Sequence, residues 1–138
     1  MVSVRILDII KEENSGRNVI VLSDETGRTL LIFVAAAEAL ALAAGIRKSQ
    51  FPRPMTFDMV CNLLKKAQVR ISTVDICSLR EGVFYSTIRF KSGETESEID
   101  ARPSDAMAIA VRLDVPIRVS EEVMTAAATE AGRLAQGM

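Results

Sequence analysis

With 138 residues, 49% of them hydrophobic, 25% charged and a net charge of −1, the chain is long enough for one self-supporting core. It is too nearly neutral to draw in nucleic acid by its overall field. It contains no histidine, which excludes every imidazole base and every histidine-ligated zinc site, and its two cysteines cannot complete a four-ligand zinc site. Any catalysis must therefore come from carboxylates, lysine, arginine, tyrosine, hydroxyls or a hard metal ion held by oxygen.

In chain order, "SVRILDIIKEE" and "NVIVLSD" read as strands separated by the turn residues Asn14-Ser15-Gly16. After "DETG", "TLLIFV" reads as a third strand, apolar enough to be buried on both faces. "AAAEALALAAGI" predicts a helix of small residues ending near Gly45 as a C-cap. "RKSQFPRPM" is a loop, because each proline moves its predecessor out of the helical region. Thr56 then reads as an N-cap, and Phe57, Val60, Cys61 and Leu64 recur with helical spacing. "VRISTVDICSL" and "VFYSTIRFKS" predict paired strands, the second with Phe84, Ser86, Ile88 and Phe90 on one face and Tyr85, Thr87 and Arg89 on the other. "ETESEIDA" extends the sheet. Pro103 opens a helix with an apolar stripe of Ala106, Ile109, Ala110 and Leu113, and "PIRVS" and a helix from about Glu121 complete the chain.

Strands and helices in separate runs, without strict βαβ alternation, predict a single α+β domain with a largely antiparallel sheet and three to four helices. The domain is expected over residues 1–125, with 126–138 as the end of the last helix and a frayed tail. No apolar run approaches the length of roughly 18 residues that a membrane span needs. The charged start does not read as a signal peptide. Cys61 and Cys77, in apolar surroundings, read as buried thiols. A cytoplasmic protein that does not engage membranes is expected.

Charge is uneven. Between Arg47 and Arg70 six bases face one acid, and between Glu94 and Asp105 five acids face one base. The acidic stretch runs into a helix start, where Asp105 gains from the unpaired amides and the helix dipole. Asp100 and Arg102 lie just outside it. Two readings of this junction stand. Asp100 and Asp105 could hold magnesium or manganese while Arg102 binds phosphate. Alternatively, Arg102 pairs with one of these aspartates and locks the corner.

"IDARPSDAMAIAVRLDVPIRV" resembles the signature of the bifunctional nuclease domain family. "LLIFVAAAEALAL", with Glu38-Ala39, and "RPMTFDMVCNLL", with Arg53, Pro54, Thr56 and Asp58, resemble its preceding segments, as "VFYSTIRF" does its middle strand. The likeness runs from about Val4 to Val123. It implies an intracellular, wedge-shaped homodimer that cuts DNA and RNA in a groove at its thick end. By position it carries over Asp100, Asp105, Glu38 and Asp58 as candidates; the junction and the likeness together lead to the expectation of catalytic Asp100, Asp105 and Glu38, with a magnesium or manganese ion on Asp100 and Asp105. Arg53, Arg102, Thr56 and Ser104 would bind phosphate. The chain departs from the family where Phe57 stands at a common histidine position, and where Leu31 and Ala35 replace a usual proline and glycine. The loss of histidine keeps a second expectation open: a non-catalytic dimeric binding or regulatory protein on the same fold.

Overall fold

The computed structural model describes residues 1–127. Two antiparallel meanders form its sheet. The first is β1 (Val2–Lys11), β2 (Asn18–Asp24) and β3 (Thr29–Val34); the second is β4 (Val69–Arg80), β5 (Val83–Ser92) and β6 (Thr95–Ala101). The short β7 (Ile117–Val119) joins them, antiparallel to β1 and parallel to β4. The resulting seven-stranded order is β3-β2-β1-β7-β4-β5-β6, the α+β architecture expected from the sequence.

The turn joining β4 to β5 shows why these strands meet in register. Glu81 and Gly82 have φ of 50° and 78°, the left-handed pair that a two-residue hairpin needs to match strand twist. The face pattern read for β5 holds: Ser86 and Ile88 are buried, while Tyr85 and Arg89 are exposed. In β1 simple alternation fails. A bulge between Ile6 and Asp8 resets the phase, so that Ile6 and Ile9 both turn to the core. β3 is buried on alternate residues only: Leu30 and Ile32 are covered, but Phe33 on the other face is 41% exposed. Its place at the sheet edge explains this one-sidedness.

Helices α1 (Ala36–Ile46), α2 (Thr56–Lys66) and α3 (Pro103–Leu113) cover one face of the sheet. Leu42, Cys61 and Met107 from the three helices join Ile20, Leu22, Val74, Ile76, Ile88 and Val119 in one core cluster. α3 is buried from Pro103 to Ala110 apart from Asp105, more completely than the expected stripe, because α1 and α2 both contact it. Its alanines let those neighbours close in. Residues 121–127 form a further helical stretch whose Val123, Met124 and Ala127 enter the same core. The expected tail lies almost entirely outside the described residues. Among those residues no helix is long and apolar enough to cross a membrane.

Three local expectations are corrected. α1 runs past Gly45 to a C-cap at Arg47, and Lys48 takes the left-handed position with φ of 53°. The amides of Lys48 and Ser49 then bond back to Gly45 and Ala44, which satisfies the last carbonyls without a glycine. α2 is capped at Met55, so Thr56 is its first helical residue. Cys61 is buried and Cys77 exposed, and both are free; Cys77 is exposed because it adjoins the bulge between Ile76 and Ser78. Burial pushes the Cys61 thiol up from its ordinary value.

Candidate active site at the opening of the third helix

Each of α1, α2 and α3 carries an acid at its third position: Glu38, Asp58 and Asp105. In α1 and α2 the cap residues, Ala35 and Met55, have no side chain able to serve the exposed amides. The acid reaches back instead. The Ala35 amide donates to Glu38 Oε2 at 2.8 Å, and the Met55 amide donates to Asp58 Oδ2 at 2.9 Å. The acid also faces the positive end of the helix dipole, a placement that needs no catalytic explanation.

At α3 the geometry differs. Arg102 occupies the cap position and folds its guanidinium over its own helix start. Nε and Nη2 donate to Asp105 at 2.8 and 3.0 Å, and Nη1 donates to Glu38 Oε1 at 2.6 Å. One guanidinium thus bridges two carboxylates from neighbouring helices. Asp105, chiefly through its hydrogen bonds, and Glu38 hold Arg102 still more firmly protonated than usual. The network is open to water: the Arg102 side chain is 65% exposed, against 34% for Asp105 and 22% for Glu38. Of the two junction readings, pairing with an aspartate is what forms, with Glu38 as an added partner that charge spacing along the sequence could not reveal.

The remaining expected site residues are placed elsewhere. Asp100 lies opposite Thr87 across β5 and β6, and Glu98 lies opposite Arg89, so both point to the face that α1, α2 and α3 do not cover. Asp100 therefore leaves the junction on the other side of the sheet from Asp105. The cause is the two-residue period: Ala101 takes the helix-side position beside Ser86, whose hydroxyl donates to the Ala101 carbonyl. Ser104 joins the buried start of α3. Arg53 is exposed in the loop before α2, and Thr56 is exposed in its first turn.

Asp58 belongs to a second cluster, centred on Arg112. Arg112 donates from Nε to Asp58 Oδ1 at 2.8 Å and from Nη1 to the Ala108 carbonyl at 2.9 Å, and lies 5.6 Å from the Phe57 ring centre. Its hydrogen bond holds the Asp58 carboxyl below its ordinary value, against the upward push of burial. Gly45 makes room for it, since a Cβ there would sit 2.5 Å from Arg112 Nη1 and 2.7 Å from Val111 Cγ2. α1 thus meets Arg102 through Glu38 and Arg112 through Gly45, positions about 10 Å apart along its axis. The candidate residues form two clusters, not one. Nothing in the local sequence marked Arg112; a lone arginine ending an apolar helix looks like ordinary dipole compensation.

Magnesium and manganese need several oxygen ligands converging on one point. Among the described residues no three cysteine or acidic side chains are close enough to hold a metal ion. Asp105 is already neutralised by Arg102, and Asp100 points away. The resting donor set does not fit a preformed ion cage.

A sheet of this order, with a wide-open arginine–carboxylate network where the last meander enters α3, defines a domain with one prominent polar corner. The chain belongs to the bifunctional nuclease domain family, whose sequence model matches residues 20–132. It is 35% identical over 128 residues to an uncharacterized protein of Mycobacterium tuberculosis, covering 92% of this chain and 76% of the relative. It is 31% identical over 116 residues to Bifunctional nuclease 1 of Oryza sativa subsp. indica, which covers 80% of this chain but only 35% of the plant protein. Bifunctional nuclease 2 of Arabidopsis thaliana is 31% identical over 106 residues, 75% of this chain and 32% of its own length.

Proposed function

We propose that this domain hydrolyses phosphodiester bonds in DNA and RNA at the Glu38–Arg102–Asp105 network. The observation that carries the reading is the exposed guanidinium of Arg102 shared between two carboxylates. A phosphodiester is a strong competitor for a guanidinium, because it offers two oxygens in matching geometry. When it takes Arg102, at least one carboxylate loses its partner beside the bound phosphorus. That carboxylate can accept a proton from an attacking water as the new P–O bond forms, while the leaving ester oxygen takes a proton from solvent. Arg102 stabilises the charge that builds on the phosphoryl oxygens. Arg53, Thr56 and the bases around them would guide the strand toward this centre, and Ser104 would support its floor.

The proposed metal requirement is a separate arm. Asp100 and Asp105 leave opposite faces of the sheet and cannot share an ion, so a magnesium or manganese ion would enter with the substrate's phosphate and be held by Asp105 or Glu38 once Arg102 releases it. A homodimer is proposed as well, supported by Leu7, Leu40 and Ile46, exposed apolar side chains that line one cavity of about 470 Å³. Sedimentation of wild type and Leu40→Lys tests it, and an unchanged monomer in both rejects it.

Single-stranded DNA and RNA incubated with manganese, magnesium or EDTA, beside an Asp100→Asn/Asp105→Asn double variant, test the nuclease reading. Cutting by wild type alone supports it, and dependence on added metal supports the ion. The second reading, a non-catalytic binding protein, is favoured by one observation: all three guanidinium nitrogens of Arg102 already donate to carboxylates at rest. Absence of cutting in every condition selects it.

A further inference from the structure

The sheet face that α1, α2 and α3 do not cover carries a second polar cluster that the proposed nuclease centre does not use. A cavity of about 840 Å³ there is lined by Ser72, Thr73, Arg89, Glu96, Glu98 and Arg118. Strand register assembles it: Thr73 lies opposite Arg89, Arg89 opposite Glu98, and Asp75 beside Arg118 on the parallel β7.

Its construction goes beyond a solvated sheet surface. A bulge in β4 between Ile71 and Thr73 brings the extra residue Ser72 to the mouth, a device common beside binding sites. Asp75 has a side chain only 5% exposed, and both its oxygens hold Arg118, at 2.8 Å from Nε and 2.7 Å from Nη2. This leaves Nη1 of Arg118 as its outward donor, on a guanidinium locked in place. The Thr73 hydroxyl is buried and has no hydrogen-bond partner among the described residues. Arg89 makes no ion pair among them either. One fixed guanidinium and one unpaired guanidinium therefore line the same cavity, beside a buried hydroxyl without a partner.

Those donors suit a tetrahedral anion, whereas Glu96 and Glu98 on the outer strand can only accept. A nucleic-acid strand would lay its phosphates across these acids and Asp100, and be repelled. A small ligand with phosphate at one end and hydroxyl or amino donors at the other satisfies both sides. We propose that this pocket binds small phosphate monoesters of that kind, the nucleoside monophosphate class among them. The site is independent of the nuclease reading.

Adenosine 5′-monophosphate, adenosine and inorganic phosphate, titrated calorimetrically into the full chain, are the probes. The monophosphate should bind more tightly than either fragment. Arg89→Gln should weaken it at least about tenfold, while leaving ligand-free melting unchanged. Thr73→Val should weaken binding and raise ligand-free melting, as removal of an orphan hydroxyl does. Arg102→Gln should leave the affinity unchanged. The proposal is overturned if the monophosphate does not bind at millimolar concentration, or if phosphate alone binds as tightly. It is equally overturned if Arg89→Gln retains full affinity, or if affinity is lost in Arg102→Gln instead.

Discussion

Arg102 and Arg112 sit at the two ends of α3 and use the same chemistry to different effect. Each reaches an acid at the third position of a neighbouring helix, and each of those acids also accepts the amide that opens its own helix. Yet the Arg112 side chain is 7% exposed and that of Arg102 is 65% exposed. Water access separates a lock from a candidate site. A buried pair is costly to break because removal of one partner strands the other, whereas an exposed pair contributes little to folding and remains free to exchange partners.

The sharpest test of that contrast is to break the lock. Arg112→Ala empties the space beside Gly45 and Phe57 and leaves the Asp58 carboxylate, itself 32% exposed, without its ion pair, a loss of about 2–3 kcal/mol. Thermal melting should fall by roughly 10 °C, while cleavage per folded molecule stays the same. Gly45→Ala should act in the same direction more mildly. Helix propensity favours alanine by about 1 kcal/mol, but the new methyl meets Val111 and an Arg112 pinned on two sides. Overpacking of about 1–3 kcal/mol exceeds that gain, so calorimetric melting should drop.

Lower pH acts on the buried and half-buried acids first. Burial would raise Asp24, but hydrogen bonds from Thr26 and Arg28 outweigh it and hold the carboxyl at about 2. The Arg112 hydrogen bond depresses Asp58 as well. The unfolded chain, with carboxyls near 4, then binds protons that the folded chain refuses. Stability from these groups is present above the unfolded value and lost as pH falls from about 4 toward about 2. Melting should hold level from neutral pH to about 5, then decline, and Asp24→Asn should blunt the decline. The smallest effect falls on the open corner. Asp105→Asn removes one arm of the Arg102 bridge and should lower melting by about 1–3 °C; an equal or higher value would point to net repulsion between Asp105 and Glu38 instead.

The fold was legible in the sequence because its strands alternate and its turns carry the residues their geometry demands. β5 is the clearest case. The bulges were not legible, since Ile6 and Ile9 reach the core only because β1 slips phase between them. Nor was the role of Gly45, because a glycine near a helix end looks the same whether it caps the helix or clears space for an arginine. At the site, the run from Asp100 to Asp105 marked the right corner but grouped its residues by nearness in sequence. Strand period sends Asp100 to one face and helix geometry sends Asp105 to the other, while Glu38 arrives from a distant helix. Long-range contacts of that kind leave no local pattern.

Arg102 at the open corner is proposed to serve chemistry and not folding. The direct measurement is cleavage of single-stranded DNA and RNA by wild type and Arg102→Gln, purified identically and normalised to folded protein. A loss on the order of a hundredfold or more is expected in the variant, with melting nearly unchanged. Equal cleavage by both proteins, or a variant that simply unfolds, would contradict it.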